Sequence, residues 1–168
     1  MPEETVSATR RINASPEALF AVLADPSSHA AIDGTGWVRE APDAQRLNVS
    51  GQVFRMAMYH DNHPDKHYEM SNQVQVFDPP RAIAWKPGYV SSPTGELAFG
   101  GWIWRYDLIP ISSGSTDVTL SYDWSAVAPV LREHIQFPPF PPDHLQNSLD
   151  HLAALVGDRG RGEIRQPS

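Results

Sequence analysis

The segment Tyr59–His67, YHDNHPDKH, holds three of the chain's seven histidines together with two aspartates and a lysine. Imidazoles suit zinc or copper, and a histidine beside a carboxylate can act as a base. The spacing of His60, His63 and His67 matches no closed or catalytic zinc motif. The residues on either side read as strands, so the segment is predicted to be a hairpin loop. Asp, Asn and Pro serve such turns by bonding nearby backbone or presetting φ. The expected reading is a solvated turn with no metal, in which His60 and His67 pair across the hairpin mouth.

Other chemistry-bearing residues are scattered. His60, His144 and Asp123 are candidate bases, and Tyr68, Tyr106 and Tyr122 are candidate donors for an oxyanion. The sequence brings no base next to a donor, and Asp123 alternates onto the outer face of its strand. No Ser-His-Asp order or paired-carboxylate spacing stands out. The chain has no cysteine, which excludes disulfides, thiolate ligands and a Cys nucleophile. Binding therefore ranks above catalysis, and no cofactor is expected.

The 168 residues carry a formal net charge of -7. An acidic chain lacks the surplus of Lys and Arg that displaces counterions from nucleic acid, so no nucleic-acid partner is expected. The start, MPEETVSATRR, lacks the apolar core of a signal peptide, and no apolar run approaches a membrane span. A cytoplasmic protein without stable membrane insertion is the expectation. One domain over residues 1–168 is the simplest division, with a polar tail over about 158–168.

The elements that must position these residues are readable. Thr5–Asn13 alternates as a strand. Ser15-Pro16-Glu17 opens a helix whose stripe is Leu19, Phe20, Val22 and Leu23. Asp25-Pro26 ends it and caps a second short helix, Pro26 to about Ile32, and Gly34-Thr35-Gly36 breaks the chain. Strands are predicted at Arg46–Ser50, Gln52–His60, Lys66–Phe77, Ala82–Lys86, Phe99–Ile109 and Asp117–Ser125, with Pro87–Glu96 as a loop. Pro142 to about Val156 carries Leu145, Leu149, Leu152 and Val156 at helical spacing, with Gly157 placed to end it. The pattern is an α+β domain: two short helices after strand 1, and a curved antiparallel sheet of about seven strands around a long C-terminal helix.

Alternation assigns faces. Phe54, Met56, Met58 and His60 share one face, as do Tyr68, Met70, Asn72, Val74 and Val76. Trp102, Trp104, Tyr106 and Leu108 share another, as do Val118, Leu120, Tyr122 and Trp124. These sets are predicted to face the last helix, with Arg55, Glu69, Gln73, Gln75, Arg105, Asp107, Thr119 and Asp123 in water. An inner face rich in aromatics and methionine is either packed core or a ligand cavity. Its tyrosines, indoles and Asn72 need partners when buried, and water or a polar-bearing ligand would supply them. On the last helix, His144, Ser148, His151 and Leu155 form a stripe beside the leucines. Either histidine could reach the cavity rim, whereas the simpler reading leaves both on the exposed flank. Phe137–Pro142 is either a lid or a proline-stiffened connection.

Four stretches carry a family likeness: Ser15–Pro26 after the first strand, Val76-Phe77-Asp78-Pro79-Pro80-Arg81, Phe99–Leu108, and Ser148–Val156. Through them the chain resembles the START/Bet v 1-like superfamily (SRPBCC), specifically its bacterial polyketide cyclase/dehydrase and lipid-transport proteins. The resemblance implies a helix-grip fold with a cavity between sheet and last helix that takes an apolar or aromatic ligand. The longer, proline-rich approach to the last helix departs from the pattern. No catalytic residue carries over by position.

With that resemblance, the inner-face residues Phe54, Met56, Met58, Tyr68, Met70, Asn72, Trp102, Trp104, Tyr106, Tyr122 and Trp124, with His144 and Ser148 on the helix, become the expected binding site for a small hydrophobic, lipid- or polyketide-like molecule. Two other classes stay open. One is a cyclase or dehydratase acting on a hydrophobic substrate. The other is an interaction module like the Hsp90 activators of the same superfamily.

Overall fold

The first helix begins as its sequence dictates. Ser15 Oγ accepts from the Ala18 N–H at 3.1 Å, and Pro16 occupies the first helical position, where its missing N–H is harmless. Asp25 ends this helix and starts the next turn, with Oδ1 accepting from Ser27 N (3.1 Å) and Ser27 Oγ (2.7 Å). The computed structural model describes residues 4–33, 38–40, 46–59, 66–90, 96–133 and 136–157.

In chain order the elements are β1 (Thr5–Ile12), α1 (Pro16–Leu23), a 3-10 turn (Pro26–Ser28), α2 (His29–Asp33), β2 (Val38–Glu40), β3 (Val53–Tyr59) and β4 (His67–Asp78). There follow β5 (Ala82–Val90), β6 (Leu97–Phe99), β7 (Ile103–Ser112), β8 (Ser115–Asp123), α3 (Pro129–Arg132) and α4 (His144–Leu155). One antiparallel sheet runs β1-β8-β7-β5-β4-β3-β2, and β6 pairs with β5. Its inner face is covered by α4, with α1 and α2 closing the sides. This is the helix-grip arrangement expected from the pattern. Among the described residues, no helix is long and apolar enough to cross a membrane.

Four differences from the predicted elements have physical causes. Arg46–Ser50 is not a strand. The Gln52 side chain accepts from Asn48 N (2.8 Å) and donates to the Arg46 carbonyl (3.0 Å), so it takes up the backbone groups a ladder would use. Pro87 does not end β5. The strand runs on to Val90 because β6 pairs Gly88, Tyr89 and Val90 with Phe99, Ala98 and Leu97. The predicted strand Phe99–Ile109 is split at Gly100-Gly101-Trp102, so two successive segments serve the same side of β5. Gly101 has φ +106°, and a Cβ there would lie 2.5 Å from the Ala126 carbonyl oxygen, so only glycine fits. Finally, a bulge between Val74 and Val76 shifts the register of β4 against β5. Beyond it Phe77, not Val76, turns into the core, where its ring meets Phe20 edge-on at 5.2 Å.

The core lies between α4, α1 and the inner face. Leu145, Leu149 and Leu152 of α4 are buried with Leu19, Leu23, Ile83, Leu108 and Val118. Gly157, at φ +91°, ends α4. A second cluster forms around Tyr122, Trp124 and Val127, against which Trp102, Leu131 and Phe137 pack.

Candidate functional site

The polar groups of the interior converge where α2 and the start of α4 meet the sheet. α2 follows the capped turn at Asp25 and is short, so its two ends project different side chains inward. His29, at its start, is buried; its ring stacks on Trp85 (4.9 Å, 13°) and meets Phe54 edge-on at 5.6 Å. Its Nε2–H donates to the Leu23 carbonyl at 2.9 Å. Burial pushes the His29 imidazole down from its ordinary range, against the opposing pull of that hydrogen bond and of Asp25.

Asp33, at the other end of α2, brings Oδ1 within 3.7 Å of His144 Nε2, and its Oδ2 accepts from Val38 N at 3.4 Å. The His144 side chain is only 6 % exposed and that of Asp33 only 12 %. At 3.7 Å the two are at ion-pair distance without a hydrogen bond. Burial lowers the pKa of His144; Asp33 and Asp143 pull it back up, and His151 lowers it further. Its resting form near neutral pH is therefore the uncharged imidazole. The Trp104 ring stands edge-on to it at 6.0 Å, and Phe140 lies at 4.9 Å. One turn along α4, Ser148 is also buried. α2 is tied to α4 by His151 Nδ1–H, which donates to the Ile32 carbonyl at 3.0 Å.

The sheet supplies the facing wall. Tyr106 is buried beside Trp85, and burial with the field of Asp33 drives its phenol well above the ordinary range. Tyr68, half-buried on β4, is raised by the same two causes, and Tyr122 is raised by burial. All three hydroxyls keep their protons at physiological pH. Asn72, opposite Phe54 in the β3–β4 register, is 7 % exposed, and its Oδ1 is a buried acceptor without a hydrogen-bond partner among the described residues. An acceptor left so costs about 1–3 kcal/mol of stability.

Of the residues predicted to line the site, Phe54, Met56, Met58, Tyr68, Met70 and Asn72 lie on the inner faces of β3 and β4. Trp104, Tyr106 and Tyr122 face them from β7 and β8, and His144 and Ser148 from α4. Trp102 and Trp124 stand apart. Trp102 precedes β7, folds over Gly100 and packs against Phe137 at 5.9 Å, while Trp124 sits beyond β8 beside Tyr122. Both belong to the second cluster, which Tyr122 shares; the turn at Gly101 removes Trp102 from the alternation of β7. The simpler reading of the α4 histidines, with both on an exposed flank, is corrected: α2 covers that flank, so His144 is buried and His151 half-buried. Phe140 meets Trp104, Tyr122 and His144, so the proline-rich approach is anchored onto the sheet.

Sequence reasoning missed Asp33 and His29. Asp33 falls between the predicted helix end at about Ile32 and Gly34-Thr35-Gly36, where it drew no notice, and its partner lies 111 positions away along the chain. Asp123, considered as a base, instead accepts from Ser125 N (2.8 Å) and Oγ (2.7 Å) and shapes a turn. His60 and His63 lie outside the described residues. His67 pairs with Tyr59 across β3–β4, with the rings edge-on at 5.0 Å. A separate groove of about 320 Å³ opens on the other side of α1, lined by Phe20, Leu47, Phe77 and Pro79-Pro80. Its Arg46 donates to the Ala21 carbonyl and pairs with Asp25.

No family model matches the sequence. The chain is 28% identical over 125 residues to the uncharacterized protein Rv0088 of Mycobacterium tuberculosis, a match covering 74% of this chain and 50% of that protein. The match thus spans half the length of that relative. Among solved structures, protein Ms6760 from Mycobacterium smegmatis superposes with a TM-score of 0.63 at 15% identity, covering 91% of this chain and 90% of that one. Norcoclaurine synthase from Thalictrum flavum, solved with dopamine and hydroxybenzaldehyde, superposes with a TM-score of 0.58 at 14% identity, covering 94% and 88%. A curled antiparallel sheet closed by one long C-terminal helix, shared end to end with these neighbours, gives this chain the Bet v 1-like helix-grip fold.

Proposed function

We propose that the protein binds a small hydrophobic or aromatic molecule, lipid- or polyketide-like in character, between the sheet and α4. Asn72 Oδ1 carries this reading. A folded chain rarely leaves a buried acceptor unmatched unless something else supplies the donor. The ligand therefore bears a hydroxyl or N–H on an apolar frame. Apolar rings around the polar groups, and three methionines on β3 and β4 that adapt to ligand shape, support the same reading. A structural neighbour solved with two aromatic molecules is consistent with it.

The test compares 2-naphthol with naphthalene by quenching of the tryptophan fluorescence. The wild type is expected to bind both and to prefer the naphthol by about five- to tenfold, the worth of one hydrogen bond. Asn72→Leu is expected to erase the preference while still binding naphthalene. Binding of neither compound, or an unchanged preference in Asn72→Leu, would reject the reading.

A further inference from the structure

We propose that Trp104, Tyr122 and His144 form a subsite for one aromatic ring, that Phe140 of the same chain occupies it in this structure, and that a ligand's ring enters by displacing Phe140. The inference rests on the binding reading above and assigns it a ligand class and a way in. The Phe140 ring meets Tyr122 edge-on at 4.9 Å and lies tilted against Trp104 at 5.6 Å and His144 at 4.9 Å. The three partners come from β7, β8 and the first turn of α4, so sheet and helix both wall the subsite. What they hold is a single half-buried phenyl ring carried by a segment outside both. Edge-on and tilted contacts reward the quadrupole of an aromatic guest, which an aliphatic one of equal size lacks.

The segment that carries Phe140, residues 136–142, is held lightly. Four of its seven residues, Pro138, Pro139, Pro141 and Pro142, offer no N–H. Among the described residues its backbone makes one hydrogen bond, the Pro141 carbonyl accepting from His144 N at 3.1 Å, and none to the sheet. Its second seat is the Phe137 ring on Trp102, at 5.9 Å. Both ends are fixed. Before it, the Arg132 guanidinium donates to the carbonyls of Val127 (3.1 Å) and Trp124 (2.8 Å) and pairs with Glu4 at 2.6 Å. After it comes α4. A proline-stiffened strap between two fixed points, seated by two rings, lifts by giving up ring contacts, and an incoming ring replaces those of Phe140. Phe140 thus competes with the ligand, and the observed affinity falls below the intrinsic one by the fraction of molecules whose subsite is open.

The experiment titrates 2-naphthol by tryptophan quenching into the wild type and three variants, and follows the Phe140–Trp104 ring contact by NMR in the wild type. Saturating naphthol should abolish that contact. Phe140→Ala and Phe137→Ala should each bind about two- to tenfold tighter, the worth of one ring contact. Phe137 lies outside the subsite, so its effect isolates release of the strap. Phe140→Trp, which brings a larger competing ring, should bind more weakly than the wild type. A Phe140–Trp104 contact that persists at saturation would overturn the inference and leave the binding reading standing. Unchanged or weaker binding in both alanine variants would do the same. The NMR arm uses the unaltered chain, so it decides even where a variant fails to fold. Binding of 2-naphthol by none of the four proteins would remove both readings.

Discussion

The interior has two ends of opposite character. Toward Leu108 on β7 and the middle of α4, the contacts are Ile12, Leu19, Leu23, Ile83, Val118, Leu149 and Leu152, each essentially closed to solvent. Toward Trp104 and the start of α4, the same sheet and helix enclose His29, Asp33, Asn72, Tyr106 and His144. The first end contributes stability through apolar burial and dense packing. The second gives some of it up. It buries two imidazoles, a carboxylate and an amide oxygen unmatched among the described residues, each at a cost in desolvation. One helix thus serves both ends. Its leucines fix where its first turn lies, and that turn presents His144.

The comparison can be broken most directly at the apolar end. Leu149→Ala should destabilise the protein by about 2–5 kcal/mol in urea denaturation. It should leave the preference for 2-naphthol over naphthalene intact in the folded fraction. Loss of that preference would mean the ends are not separable. The next effect is one of pH. His29 and His144 have folded-state pKa values below the ordinary 6.5, so the unfolded chain binds more protons in that range. Stability should therefore be full above about pH 7 and fall as pH drops through 6.5 toward the folded values. Urea midpoints at about pH 7.5 and about pH 5.5 measure this, and His29→Phe should shrink the difference. The lowered pKa values of Asp25 and Asp117 act only below the ordinary carboxylate range, so they do not confuse the reading. The smallest effect is of opposite sign. Asn72→Leu should leave stability unchanged or raise it by about 1 kcal/mol, because it removes an unmatched acceptor. A clear loss of stability would show that Asn72 is structural.

The apolar end was legible in the sequence, and the polar end only in part. Leucines at helical spacing and alternating strands are local patterns, and they located α4, β3, β7 and β8 with their inner faces. The helix start at Ser15 and the stop at Gly157 were legible for the same reason. What failed was whatever depends on distant partners. Pro87 looked like a strand end because β6 could not be seen pairing beside it. Val76 was assigned inward because a bulge leaves no mark on alternation. The pair His144–Asp33 joins a helix start to the end of a five-residue helix, and no periodicity links them. Asn72 was placed on the right face, yet that its oxygen lacks a partner depends on everything around it.

The register between β1 and β8 has a consequence in time. Thr5 pairs with Asp123 and Ile12 with Thr116, so the first described strand is completed by the last. Contacts so far apart in sequence make folding slow, since a long loop must close before they contribute. During synthesis β1 precedes its partner and waits, an unpaired edge, until more than a hundred further residues have followed. Its own composition suits that wait. Thr5, Ser7, Thr9 and Arg11 alternate with Val6, Ala8 and Arg10, which leaves little apolar surface for a wrong partner to grasp.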